Sequence, residues 1–275
     1  MKRNKAAFAI GISILLLFAA FAVFPDAFAR FGLKEMNAPW LRPDGNHWLG
    51  TNDLGYDVFT EIVYSSGSTL WIGLTAAFIS LFLGTGIGLL AGYLPGWLGE
   101  IANGIIQVFL MIPMLPMAIV IASFCGTATG NIIWIISILG WCGTARTVRV
   151  RAMQLKQTAF VEGLIILGIS KSRILLFHVL PNLYEVILSR YIVSVTRCMM
   201  LEATLSFLGL GNPTDVTWGR MINLAYRRGG FTRGAYNWLA APGVCIALIV
   251  IAFYLINHAL EAKNDEVSGS QSYLD

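Results

Sequence analysis

Charge is what this sequence has least of. Lys, Arg, Asp and Glu make up 12% of its 275 residues, whereas soluble domains carry about a quarter. A chain with 56% hydrophobic residues and a mean hydropathy of +0.69 has too few charges to cover a water-facing surface, which excludes an ordinary soluble domain. Other absences narrow the function. No stretch matches G-x-x-x-x-G-K-[ST], so the chain has no phosphate loop with which to hydrolyse a nucleotide, and "GISKS" is too short to serve. Cys125, Cys142, Cys198 and Cys245 lie far apart in apolar surroundings, which predicts buried free thiols rather than a disulfide framework or a metal site. His47, His178 and His258 fall in three separate regions, and no Ser/His/Asp grouping stands out, so neither a catalytic residue nor a metal ligand is assigned. The net charge of +4 is small and no basic block is long enough to hold nucleic acid.

What the chain does have is long apolar runs. A hydrocarbon core of about 30 Å takes about 20 residues of helix. Residues 6–24 are uncharged and follow "MKRNK". The "AFA" at 27–29 resembles a signal-peptide cleavage site, but the run exceeds a signal's apolar stretch and ends at Pro25, which favours a retained helix. Residues 25–66 are polar enough for water, and 68–93 form a second span. From 101 to 145 no residue is charged, too long for one crossing, and "GTATGN" at 126–131 divides the run into a third and a fourth span. Residues 186–208 and 238–260 supply a fifth and a sixth. The expectation is an all-α integral membrane protein of six transmembrane helices. It divides into an N-terminal helix with an extracytoplasmic segment (1–67), a five-helix core (68–261) and a tail (262–275).

Basic residues near span ends mark the cytoplasmic side. Lys2, Arg3 and Lys5 precede the first span, and Arg146, Arg149, Arg151, Lys156, Lys171 and Arg173 follow the fourth. Acidic residues outnumber basic ones in 25–66, whereas Arg220, Arg227, Arg228 and Arg233 fall on the outside and weaken the bias. Both termini are expected inside, and 262–275 is then a cytoplasmic tail.

Within the spans, Gly84, Gly88 and Gly92 recur every four residues and put bare backbone on one helix face, for packing within the chain or for a moving or subunit-contacting surface. Pro113 and Pro116 each remove a backbone donor at membrane depth, a kink or a gating element, and Met111, Met114 and Met117 would share a face. Arg197 and Glu202 are charges deep in the fifth span, where they either border a pathway or pair internally, while Arg190 marks its cytoplasmic end. "SFLGLG" should close that helix with a left-handed glycine turn.

The segment "VEGLIILGISKSRILLFHVLPN" (161–182) is then a cytoplasmic loop. It reads as a short helix over 158–167, a turn at Gly168, a second short helix capped by Ser170 and running to Phe177, and a separation from the fifth span at Pro181. Leu164, Ile165, Ile166 and Ile169 would give it an apolar surface, suited to a partner or to lipid headgroups.

Glu162, Gly168 and "HVLPN" (178–182), in the pattern E-x-x-x-x-x-G followed by LP, resemble the cytoplasmic EAA loop of ABC importer permeases. "HWLGTNDLGYDVF" (47–59), "LEATLSFLGLG" (201–211) and "WGRMI" (218–222) look like the peptide and nickel permease family, second-permease type. The resemblance runs in order from about residue 47 to 261. It departs at "GYD" (55–57), where the family commonly has "GRD", and at "EGLIILG", where "EAARALG" is usual and an arginine becomes Ile165.

That resemblance implies a type I ABC importer permease fold in a bacterial inner membrane. The chain would form half of a pathway for small peptides or for nickel, free or chelated. Its partners would be a homologous second permease, two ATPase subunits and an extracytoplasmic solute-binding protein, with ATP and Mg bound by the ATPases and no cofactor by this chain. Glu162, Gly163, Leu164, Gly168, Ile169, Ser170, Leu180 and Pro181 would form the ATPase-coupling loop. Arg197, Glu202, Gly84, Gly88, Gly92, Pro113 and Pro116 are the candidates for pathway or interface. Asp53, Asp57, Arg227, Arg228 and Arg233 are the candidates for docking the binding protein. A self-sufficient channel or secondary transporter, and a scaffold that moves nothing, are the alternatives.

Overall fold

The computed structural model describes residues 2–94 and 96–271. Its long helices are α1 (Lys2–Val23), α3 (Val58–Tyr93), α4 (Trp97–Met111), α5 (Met114–Cys125), α6 (Thr129–Lys156), α10 (Tyr184–Phe207), α11 (Trp218–Arg227) and α12 (Tyr236–Gln271). Short pieces fill the gaps: α2 (Pro25–Phe28), α7 (Ala159–Ile166), α8 (Lys171–Ile174) with a π-helical turn over Leu175–Val179, and α9 (Leu180–Asn182). Four helices are long and apolar enough to cross a membrane, in α1, α3, α6 and α12, and α4 with α5 makes a fifth when the bent pair is counted as one span. The chain is a multi-pass helical membrane protein.

The second span begins earlier than its apolar run. Asp57 has extended backbone (φ −68°, ψ 123°) and its carboxylate accepts a hydrogen bond from the Thr60 N–H at 2.8 Å, so α3 starts at Val58. Its 36 residues span about 54 Å, well beyond a hydrocarbon core of ~30 Å. One helix therefore crosses the expected boundary between residues 67 and 68. At the other end of the chain α12 passes residue 262 without a break and continues to Gln271, while residues 272–275 of the expected tail lie outside the described residues.

The expected third span is broken into two helices. α4 and α5 meet at 87°, with Ile112 (ψ 124°) and Pro113 (ψ 114°) both extended between them. A residue before proline is pushed out of the helical region, which accounts for Ile112. Pro116 breaks nothing: it stands in the first turn of α5, where an N–H has no partner within the helix. The bend puts Met111 on a different helix from Met114 and Met117, so the three do not share a face.

α3 and α6 pack along the glycine strip. A Cβ at Gly84, Gly88 or Gly92 would lie 2.6, 2.6 and 2.7 Å from the carbonyl oxygens of Trp141, Ala145 and Arg149, themselves four residues apart. The strip is therefore spent on packing within the chain, not on a free contact surface. α1 lies against α12, with Gly11 against Ala252 and Ile256. The main core gathers Ile72, Ile136, Met199, Leu205, Trp218 and Ile249. Trp218 donates its indole N–H to the Ile62 carbonyl at 3.2 Å and meets the Phe18 ring edge-on, tying α11, α3 and α1 at one end of the bundle. Three cysteines are buried as expected, but Cys125 is exposed, because it ends α5 at the turn before α6.

Candidate functional site

The 158–182 segment builds a compact projection at the end of the bundle where α3 and α6 finish. α7 closes on a left-handed turn: Gly168 (φ +76°) donates to Ile165 O at 3.0 Å and the Ile169 N–H to Leu164 O at 3.2 Å, the paired 5→2 and 6→1 bonds of a glycine-stopped helix. Val161, Ile174, Val179 and Leu183 form a satellite core with Leu89 and Tyr93 of α3 and Val148 and Ala152 of α6. Leu164, Ile169 and Leu180 pack against it, so they anchor the projection and are not its free surface. The apolar surface lies elsewhere: Ile166 is 85% exposed, Leu167 77% and Phe177 70%, with Ile165 and Phe160 partly so. Glu162 stands exposed in the first turn of α7, and Gly163 has open space around it.

Two expectations for this segment are corrected. Ser170 precedes α8 with extended backbone, but its side chain makes no capping hydrogen bond. Pro181 does not separate the segment from the next helix: Leu180 is helical (φ −57°, ψ −46°) and Pro181 lies in the first turn of α9. The π-helical turn over Leu175–Val179 changes the hydrogen-bond register just before the proline, where its missing N–H would otherwise interrupt an α-helix. The break falls instead at Leu183 (φ −96°, ψ 3°).

The interior charges separate. Glu202 is fully buried, with one carboxylate oxygen accepting from Ser206 Oγ at 2.7 Å and the other without a hydrogen-bond partner. It is enclosed by the chain's own packing and borders no open surface. Arg197 is exposed and lines a cavity of about 150 Å³ beside the α4–α5 bend, with Ile112, Met114, Ser194 and Cys198. Arg190, one turn-pair earlier on the same face of α10, donates to Thr147 of α6. "SFLGLG" ends α10 as expected: Gly209 (φ +84°) donates to Ser206 O and Leu210 to Leu205 O.

At the opposite end, residues 30–57 are a hydrogen-bonded knot instead of a polar linker. Asn52 accepts the N–H groups of Leu54 and Tyr56 at 2.9 Å each and donates to Glu61 Oε2 at 3.1 Å. Asp44 accepts from the N–H groups of His47 and Asn46, which hold its carboxyl below the usual range. Asp57 is buried, lying 2.9 Å from His47 Nδ1 as well as capping α3, so it is structural and unavailable for docking. Asp53 pairs at 2.8 Å with Arg228, the residue that follows α11, Arg233 lies over the Trp40 ring at 5.1 Å, and Arg227 is exposed.

Sequence reasoning missed α11 and the residues around it. Reading apolar runs assigns no helix between the fifth span, ending at 208, and the sixth, starting at 238, although Thr217, which accepts the Arg220 N–H at 3.3 Å, is a helix-start signal. Lys34, Asn52, Glu61 and Arg220 line one cavity of about 350 Å³ beneath the knot. Among the described residues no group of three His, Cys, Asp or Glu side chains gathers to hold a metal ion.

A bundle of apolar helices with a small, separately cored apolar projection at one end and a structured polar knot at the other defines a multi-pass membrane component. Residues 84–265 match the family described as "Binding-protein-dependent transport system inner membrane component". The chain is 34% identical over 271 residues to the dipeptide transport system permease protein DppC of Bacillus subtilis (strain 168), covering 96% of this chain and 83% of that one. It is 31% identical to the glutathione transport system permease protein GsiD of Pectobacterium atrosepticum, covering 96% and 87%. With the oligopeptide transport system permease protein OppC of Mycobacterium tuberculosis (strain H37Rv) it shares 30%, covering 98% and 92%. The chain belongs to this family of inner-membrane transport components.

Proposed function

We propose that this chain is one of two permease subunits of an ATP-driven importer of small peptides. The carrying observation is the 158–182 projection, which has its own core and directs Ile166, Leu167 and Phe177 outward. An apolar surface of that kind at the end of a bundle suits a groove in a partner. The chain has no phosphate loop of its own, so the partner would be an ATPase carrying ATP and Mg. Closure of two ATPases would move the projection as a lever, and the projection's core, shared with α3 and α6, would pass that movement to the bundle as a rigid-body rotation.

The reading takes α10 as a span beside α1, α3, α4–α5, α6 and α12, six in all. α10 carries Glu185, Arg190, Arg197 and Glu202, which suits a helix sheltered by its neighbours and facing a second subunit better than one facing lipid. With both termini cytoplasmic, the knot and α11 face outward, where a solute-binding protein would dock on Asp53, Arg227, Arg228 and Arg233. Relatives named for dipeptide, oligopeptide and glutathione systems favour peptides over nickel.

The test is uptake. The chain is co-expressed with its neighbouring genes and reconstituted in proteoliposomes with the binding protein, and labelled dialanine is followed with and without ATP inside. ATP-dependent accumulation that requires this chain supports the proposal. Accumulation that follows an ion gradient without ATP would instead support a secondary transporter.

A further inference from the structure

The cavity of about 350 Å³ between the knot and α11 belongs to neither the lever nor the span interiors. Its size falls at the small end of the range for small-molecule sites. Leu33, Leu54, Pro213, Val216, Met221 and Leu224 give it apolar walls. Its polar groups are opposed in sign. Glu61 is 8% exposed, and Asn52 donates to one of its oxygens at 3.1 Å. Among the described residues no Lys, Arg or His nitrogen forms an ion pair with that carboxylate; Arg228, which also lines the cavity, pairs with Asp53. Arg220 is half-buried, spends one nitrogen on the Asp215 carbonyl at 2.7 Å and lines the cavity within electrostatic reach of Glu61. Lys34 is exposed at the cavity and, among the described residues, makes no ion pair.

Glu61, a buried carboxylate that makes no ion pair among the described residues, shares this cavity with Arg220 and Lys34, which make none either, and the set is complementary to a small molecule that carries both charges. The geometry points to a binding site for a free amino acid or short peptide, with the ligand's carboxylate at Arg220 and Lys34 and its amine at Glu61. Planar guanidinium suits a carboxylate, and a desolvated charge pair gives orientation as well as affinity. Its placement on the outer side rests on the importer reading, in which it becomes a first station for solute before the membrane pathway. Binding itself does not depend on that reading.

The full chain, purified in nanodiscs without ATPase or binding protein, is titrated calorimetrically with dialanine, dialanine amide and N-acetyl-dialanine. Dialanine is expected to bind, with amidation and acetylation each weakening it about tenfold or more. Arg220→Gln should abolish the preference for acid over amide, and Glu61→Gln the preference for amine over acetyl. Lys34→Gln, at an exposed position, should weaken the acid form alone. Equal binding of all three probes, no binding to the wild-type chain, or charge preferences that survive these substitutions would overturn the assignment. Because the assay uses neither ATP nor partners, its failure is separate from a failure of ATP-dependent uptake.

Discussion

Gly88 of α3 lies so close to Ala145 of α6 that a Cβ on the glycine would stand 2.6 Å from the alanine's carbonyl oxygen and 3.0 Å from its Cα. That neighbour is backbone and cannot turn aside. Gly88→Ala must therefore push the two helices apart, at a cost of about 1–3 kcal/mol. Gly86, two residues earlier with open space around it, is the control: alanine there should be neutral or stabilising by roughly 0.5–1 kcal/mol. Thermal unfolding of both variants in detergent measures the difference, and equal melting temperatures would show that the strip is not a packing interface.

Asp57 serves two elements at once, capping α3 through the Thr60 N–H and meeting His47 at 2.9 Å in a buried setting. Asp57→Ala should cost about 1–2 kcal/mol from the lost cap alone, with the knot loosened in addition. Hydrogen exchange should rise in residues 44–61 and not in α6. Exchange unchanged in the knot would mean that Asp57 does not hold it.

The Arg228–Asp53 pair links α11 to the knot, but its arginine side chain is 39% exposed. A double-mutant cycle should give a coupling of only about 0.2–1 kcal/mol. Salt near 1 M, where the Debye length is ~3 Å, should reduce it further. A coupling well above 2 kcal/mol would mark the pair as a structural lock instead of a surface contact available to a docking protein.

How much of this was legible depended on whether local chemistry decided the outcome. The glycine strip could be read because a four-residue period fixes one helix face, and the turns at Gly168 and Gly209 because left-handed backbone favours glycine. The bend at Pro113 could be placed but not measured, since the missing N–H permits a break while the 87° angle is set by what α4 and α5 pack against. At Pro181 the local rule failed, because a π-helical turn upstream accommodates the proline. The start of α3 at Val58 and the helix α11 were missed although Asp57 and Thr217 are residues of capping type. Apolar runs alone do not mark these boundaries, because both helices begin in polar sequence. The meeting of Lys34, Glu61 and Arg220 spans nearly two hundred residues and no local pattern announces it.

The reading of the chain as an ATPase-coupled permease is tested most directly at the projection. Ile166 and Leu167 are exposed and support no core, so Ile166→Glu with Leu167→Glu should leave the fold and its melting temperature unchanged. Wild-type chain, tagged and co-expressed with its neighbouring genes, should retain the ATPase subunits through purification in mild detergent. The double variant should lose them by at least about tenfold while keeping the second permease. An ATPase held equally by both forms, or by neither, would contradict the assignment of residues 158–182 as the lever.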